Sequence, residues 1–429
     1  MSLPQSFYDT YTAILEEELL PAMGCTEPIA IAYAAAILRD VLGGAPDRVH
    51  LSLSGNIIKN VKSVVVPATG GMHGIAAAVA AGIVAACPAR RLALLQSLTE
   101  ADVPKIADCV ARLPLTLSES AGGCAFEIEI TGECGKHCAK VHLREHHTNI
   151  VSVVCDGVTL TERYQGGTDG EGAARADRSL LNVEDIVTFA ETVELTRLSP
   201  VLRRQIEMNM AIAEEGLSGE YGAAIGRTIL ENGGGLLQNQ AKAYAAAGSD
   251  ARMSGCEKPV CILSGSGNQG ITASVPVVVY ARALGTDEET LLRALIVADL
   301  ITVHQKTGIG CLSAYCGAIS AGCGAATGIA YLYGGRLYEI AHTLVNAVAV
   351  LSGTICDGAK PSCAAKIAMA VEAGIMGYHM VKSSHQFYGG DGIVTKGVEN
   401  TIKNIGRIVR DGMIETDREI IRIMIDGTN

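Results

Sequence analysis

Tryptophan is absent from this 429-residue chain, and phenylalanine occurs only four times. A core built without aromatic slabs packs through small side chains and close backbone approach, and 49 glycines provide for that. The same scarcity removes the stacking platforms used to bind single-stranded nucleic acids. Positive charge is short as well: 34 Lys and Arg stand against 45 Asp and Glu, a formal net charge of −11. Without a basic surface to neutralise phosphates, no nucleic-acid partner is expected. Charged residues make up 18% and hydrophobic ones 48%, a balance too apolar for disorder and sufficient for a large core in two or three domains.

No basic, apolar leader is visible over residues 1–10, so a cytoplasmic location is expected. The 14 cysteines then read as thiols or metal ligands rather than disulfides. Residues 259–281 and 307–335 hold no charge and exceed the length of a bilayer span. They are crowded with Gly, Ser, Asn and Gln and lack flanking Trp, which favours buried helices able to enclose a polar pocket. No membrane partner is expected.

Apolar residues at helical spacing over 8–20, and again over 28–42 before Gly43-Gly44, predict two N-terminal helices. From residue 49 the period changes. VHLSLSG, VKSVVVP, AFEIEITG and AKVHLREH alternate as half-buried strands do, NIVSVVCDG is a further β-branched run, and helical stretches at 74–86 and 103–112 separate them. The Gly-rich, charged YQGGTDGEGAARADRS reads as an exposed linker or hairpin tip. From residue 183 the pattern is helical almost throughout. The fold class expected is therefore α+β, in three parts: N-terminal helices (1–45) packed on the helical domain, an inserted α+β domain (46–180), and an all-α catalytic domain (181–429).

The cysteines carry the chemical signal. Cys25, in Gly24-Cys25-Thr26-Glu27-Pro28, immediately precedes a helix, whose unpaired N–H groups lower a thiol pKa. It is a candidate thiolate, as ligand or as acid/base, or else a small buried cap residue. Cys356 and Cys363 flank the turn Asp357-Gly358-Ala359-Lys360-Pro361-Ser362, and Cys316 lies 40 residues before Cys356. Three soft thiolates with an open corner suit an iron–sulfur cluster or zinc. Cys311 and Cys323 compete for the same role. Cys134 and Cys138 in GECGKHCAK read as a hairpin turn, and Cys87, Cys109, Cys124, Cys155, Cys256 and Cys261 as core residues. A second constellation, Ser264-Gly265-Ser266-Gly267-Asn268-Gln269-Gly270, offers hydroxyls, amides and a following helix end to a carboxylate or phosphate, or is simply a helix connection. A similar turn at 68–74 includes His73, which titrates near neutrality or satisfies a local hydrogen bond.

Together, Gly24-Cys25-Thr26-Glu27-Pro28, the 264–270 turn, Leu312-Ser313-Ala314 with Cys316-Gly317, and Cys356-Asp357-Gly358-Ala359-Lys360 with Cys363 resemble the L-cysteine desulfidase family, relatives of the iron–sulfur L-serine dehydratases. GNIIKNVKSVVVPATGG is similar to the N-terminal region of that family. The resemblance implies a large helical domain like the dehydratase alpha domain. It also implies an oxygen-sensitive [4Fe–4S] lyase, independent of pyridoxal phosphate, that converts L-cysteine to pyruvate, ammonia and sulfide. On that likeness Cys316, Cys356 and Cys363 hold three irons, the fourth faces the amino-acid substrate, and Cys25 is associated with the cluster. Ser264, Ser266, Asn268 and Gln269 would bind substrate, and Lys62, His73, His304, Lys306 and Lys360 are alternative bases for the Cα proton. A serine or threonine dehydratase using the same cluster, and a non-catalytic iron–sulfur or thiol redox sensor, stand as alternatives. A homo-oligomer is left open.

Overall fold

The computed structural model describes residues 3–164, 175–233, 235–310 and 312–426. Most of the segment expected as an exposed linker or hairpin tip, and Cys311, lie outside the described residues. The chain opens with α1 (Gln5–Glu18), β1 (Pro21–Met23), α2 (Thr26–Leu42), β2 (Arg48–Leu53), α3 (Gly55–Val61), α4 (Gly74–Ala85) and α5 (Val103–Arg112). Next come β3 (Leu115–Glu119), β4 (Glu127–Cys134), β5 (His137–Arg144), β6 (Ile150–Cys155) and β7 (Val158–Thr159). The helical half consists of α6 (Val183–Thr192), α7 (Ser199–Ser218), α8 (Ile225–Gly233), α9 (Leu237–Met253), α10 (Gly267–Leu284), α11 (Glu288–Ile309), α12 (Gly317–Leu332), α13 (Leu337–Leu351), α14 (Cys363–Lys382), α15 (Val398–Arg407) and α16 (Ile414–Asp426). Within it, β8 (Pro259–Cys261) pairs antiparallel with β1 and ties the two halves together.

The alternation read in the sequence becomes a one-sided sheet of order β3-β2-β4-β5-β6-β7, antiparallel except for β2 with β3. Val49, Leu51 and Leu53 of β2, Ile128 and Ile130 of β4, and Val141 and Leu143 of β5 all point to the buried side. That face is covered by the apolar helix α2, against which α4 packs in turn. The expectation that both N-terminal helices pack on the helical domain therefore divides. Tyr11, Ile14 and Leu15 of α1 join the helical core, whereas Ile29 to Leu38 of α2 belong to the core of the sheet. The segment VKSVVVP is not a strand: its first residue ends α3, and only Val65 makes a single bridge, to His73. Val61 and Val66 join the core of the sheet domain and Val64 packs against Cys25 and Met253, and a short apolar run of this kind has no period to distinguish the two outcomes.

Helices α10, α11, α12 and α14 form the centre of the helical half, and α10 and α12 hold most of the two charge-free stretches of the sequence. No single helix among the described residues is long and apolar enough to cross a membrane. Packing by small residues is explicit between α12 and α14, where a Cβ on Gly322 would come within 2.6 Å of the Ala370 backbone. This close crossing brings the first turns of both helices, and their cysteines, to the same end of the domain.

One carboxyl group is enclosed in this core. Asp299 of α11 is fully buried, and its Oδ1 accepts from Gln205 Nε2 at 2.9 Å. Burial pushes the carboxyl up to about 7 against the opposing effect of that donor. A folded-state pKa above the unfolded value means the folded protein binds this proton more tightly. The contribution to stability is complete below about pH 4 and is lost as pH rises through about 7. Urea denaturation of wild type and Asp299→Asn across pH should show the difference moving in favour of the variant by on the order of 2–3 kcal/mol between pH 5 and 8. A constant difference would mean that Asp299 stays ionised in the fold.

Candidate functional site

Four helices begin at one place. Cys25 is the N-cap of α2, Ser266 of α10, Cys316 of α12 and Ser362 of α14, whose first residue is Cys363. The cysteine loops are joined by backbone pairing: Cys316 N–H donates to the Thr354 carbonyl (3.1 Å) and Cys356 N–H to that of Ala314 (2.6 Å), around a bridge between Tyr315 and Ile355. Since side chains alternate along extended backbone, Cys316 and Cys356 fall on the same face of that bridge. Cys363 packs against the small cluster of Cys25, Val64 and Met253. The structure thus brings together Cys25, Cys316, Cys356 and Cys363 from three separate stretches. As placed, no three His, Cys, Asp or Glu side chains among the described residues stand closely enough to grip an ion.

Burial governs the thiols. Cys316 is pushed up to about 12 by desolvation, with the neighbouring Cys356 and Cys363 adding to the effect and the Ala318 N–H and Lys366 opposing it. Cys363 is raised for the same first reason. Cys25 corrects the expectation from its helix cap. Burial pushes it up to about 12, and Arg252 pulls it down without prevailing. Positive charge is nevertheless concentrated here. Lys360 and Lys366 both pair with Asp357; burial alone would raise that carboxyl, but the two lysines bring it down to about 2. Lys366 Nζ also donates to the Ile355 carbonyl at 2.9 Å, fixing the residue before Cys356.

The turn at 264–270 is tighter than its sequence suggested. Leu263 and Ser266 exchange two backbone hydrogen bonds (3.1 and 3.0 Å) across Ser264 and Gly265, which both have positive φ (48° and 74°). This geometry uses up N–H groups that the sequence reading left available to a ligand. The Ser266 side chain caps Gln269 N–H, leaving Gly267 and Asn268 with the orphan donors at the start of α10 among the described residues. Gln269 is buried and lies against Gly317, where a Cβ would meet its amide at 2.7 Å. The predicted substrate turn and the predicted ligand Cys316 are therefore neighbours.

Two residues that sequence reasoning missed organise the site. Lys59 of α3 is 1% exposed; its Nζ bonds Asp417 Oδ1 of α16 at 2.6 Å and the Ser313 carbonyl at 3.2 Å. Its own carbonyl faces Gly358, where a Cβ would sit 2.1 Å away and φ is +91°. One residue of the sheet domain thus touches both cysteine loops. Arg252, at the end of α9, donates to the Gly24 carbonyl at 2.8 Å and to Asn268 Oδ1 at 3.1 Å. The available signal was weak: a single basic residue within an apolar run in each case.

The other candidates are placed differently. Lys62 Nζ donates to the Met424 carbonyl of α16, Lys360 is taken by Asp357, and His304 pairs with Glu399 at 2.7 Å. These contacts commit all three groups structurally. His73 is exposed at the start of α4, and Lys306 is buried in the last turns of α11. Cys134 and Cys138 flank a two-residue hairpin with Gly135 at φ +59°, and Cys323 is buried within α12. Cys256 and Cys261 are buried, while Cys87, Cys109, Cys124 and Cys155 are only half-buried, on the periphery rather than in the core.

The sequence profile of the serine dehydratase alpha chain family matches residues 91–422. A UPF0597 protein of Desulfitobacterium hafniense is 52% identical over 426 residues, covering 99% of either chain. Its counterpart in Treponema denticola is 44% identical over 99% of this chain and all of its own. One from Clostridium perfringens is 38% identical over 97% of this chain and 98% of its own. The profile takes in Arg252, the 264–270 turn, Cys316, Cys356 and Cys363, whereas Cys25 and Lys59 precede it.

Gly358 provides a direct check on the clamp between the halves. Gly358→Ala must move either the Lys59 carbonyl or the cysteine loop and should cost at least about 2 kcal/mol in thermal or urea denaturation. Gly353→Ala, in the same connection but with open space around it, should stay within about 0.5 kcal/mol of wild type. Equal losses would show that the loop is not held by Lys59.

Proposed function

Because the chain belongs to the serine dehydratase alpha chain family, we propose that it is an iron–sulfur lyase that eliminates across the Cα–Cβ bond of L-cysteine, giving pyruvate, ammonia and sulfide. The observation that carries this reading is the pairing of the Cys316 and Cys356 loops at the start of α12, beside the 264–270 turn, with Cys363 opening α14 nearby. The donor set fits the group: the ligands are soft thiols, and helix ends together with Lys366 supply positive field where water is excluded. Held by these three cysteines, a [4Fe–4S] cluster would present one iron without a protein ligand, a Lewis acid for the substrate.

The remaining work falls to the chain. The substrate carboxylate belongs at the start of α10, where Gly267 and Asn268 carry orphan N–H groups. Elimination requires a base for the Cα proton while the Cβ–S bond breaks and the electron pair leaves with sulfur. The resulting aminoacrylate tautomerises and hydrolyses to pyruvate and ammonia without further help. With Lys62, Lys360 and His304 engaged elsewhere, His73 exposed and Lys306 buried in the last turns of α11, Cys25 is assigned the proton, which it accepts as thiolate after its own proton has passed to solvent. It adjoins Cys363, and its thiolate, once formed, faces Arg252 and the first turn of α2. A second reading, L-serine dehydration, is favoured by the description of the matched family. The same groups serve it, with hydroxide as the leaving group.

Anaerobically reconstituted protein decides among these. Iron content, visible absorption, sulfide from L-cysteine and pyruvate from L-serine are measured for wild type and for Cys316→Ala, Cys356→Ala, Cys363→Ala and Cys25→Ala. The first three should lose both the chromophore and turnover to background. Cys25→Ala should keep its iron and lose about 10²- to 10⁴-fold in kcat; loss of iron instead would make Cys25 a ligand. Turnover of serine alone selects the second reading, and full activity in colourless, iron-free protein rejects both.

A further inference from the structure

Arg252 is a strongly buried cation whose contacts among the described residues go to neutral groups. It is 3% exposed, and its guanidinium bonds the Gly24 carbonyl and Asn268 Oδ1 and lies beside the Cys25 thiol. Nε is buried and has no partner. No carboxylate pairs with it among the described residues. Glu27, the acidic residue next to Cys25, is bonded instead by Thr26 (3.0 Å) and by Asn60 (3.1 Å). Lys59, buried at the same junction, makes the opposite case, since it has Asp417. A guanidinium removed from water without an anion is costly, and a site that keeps one is built for an anion that arrives later.

The surroundings specify that anion. Arg252 meets the orphan N–H groups at the start of α10 through Asn268, and its Nε is so close to Gly267 that a Cβ there would stand 2.4 Å away. A planar fork of donors next to two backbone N–H groups matches a carboxylate, which can accept from both at once. We propose that Arg252 is the carboxylate receptor of this site, with Gly267 kept free of a side chain so that the guanidinium can stand against the helix end. Naming the ligand as the carboxylate of an α-amino acid rests on the function proposed above.

The test uses amino acids that cannot react. L-Alanine lacks a leaving group, and L-alaninamide lacks the carboxylate. Binding of each to the full-length chain is followed by calorimetry and thermal shift, before and after anaerobic reconstitution. L-Alanine should bind wild type at least tenfold more tightly than L-alaninamide. Arg252→Gln should weaken L-alanine by about 10- to 100-fold and leave L-alaninamide unchanged. If Arg252→Gln does not fold, Arg252→Lys and Gly267→Ala take its place: the lysine should retain part of the affinity, and the alanine should lose it by displacing the guanidinium. L-Alanine bound as tightly by these variants as by wild type overturns the assignment and leaves the amino-acid reading standing. Binding of acetate but of no amino acid, lost on substitution of Arg252, keeps the receptor and removes cysteine and serine as substrates. Wild type that binds neither acetate nor any amino acid refutes the proposal.

Discussion

Several thiols buried together can share negative charge only where something other than water compensates it. Here the compensation is structural. Helices α2, α10, α12 and α14 all start at the site, so their partial positive ends and unpaired N–H groups face one another across it. Arg252, Lys360 and Lys366 add full charges, against which stand Asp357 and Glu27. Burial works against these charges and raises the pKa values of Cys25, Cys316 and Cys363. The field is arranged for an anionic occupant and is only partly satisfied by the protein itself.

Maintaining that arrangement requires the two halves of the chain to keep register. The sheet domain contributes Cys25 and Lys59, and the helical half contributes everything else. The β1–β8 pairing, Arg252 on the Gly24 carbonyl and Lys59 on Ser313 and Asp417 are the stitches between them. A buried lysine with a good partner adds little net stability compared with an apolar residue of the same size, but breaking one side of the pair leaves an uncompensated charge. Lys59 therefore specifies position more than it strengthens the fold. The absence of a side chain at Gly358 belongs to the same contact, because the lysine carbonyl occupies the space.

Much of this was legible in the amino-acid pattern. The alternation of β2, β4 and β5 and the helical periods after residue 183 follow from one-sided burial, which leaves a mark on every second or every third to fourth residue. Cys316, Cys356 and Cys363 stood out because they sit beside glycines and helix starts rather than within apolar runs. Other features left no such mark. VKSVVVP is buried without a period, so its composition suggested a strand that tertiary contacts replaced with a turn. The direction of the Cys25 shift depended on how deeply it is enclosed, which no local motif encodes. Arg252 and Lys59 derive their importance from partners 228 and 358 residues away.

The division of the site between matched and unmatched sequence has a chemical consequence. The three proposed iron ligands, the 264–270 turn and Arg252 lie within residues 91–422, while Cys25 and Lys59 come from the first ninety. On the function proposed above, the cluster and the carboxylate site would serve whichever group departs from Cβ. Handling the proton, and setting how closely the walls meet, decide which amino acid turns over. Sulfide leaves more readily than hydroxide, so an enzyme that expels it needs less assistance at the leaving atom. The critical element then shifts to the proton at Cα and to the thiol placed beside it. On this argument the preference for cysteine or serine is set in the α2 cap and its neighbours Val64 and Met253, not in the proposed metal ligands that both chemistries would share.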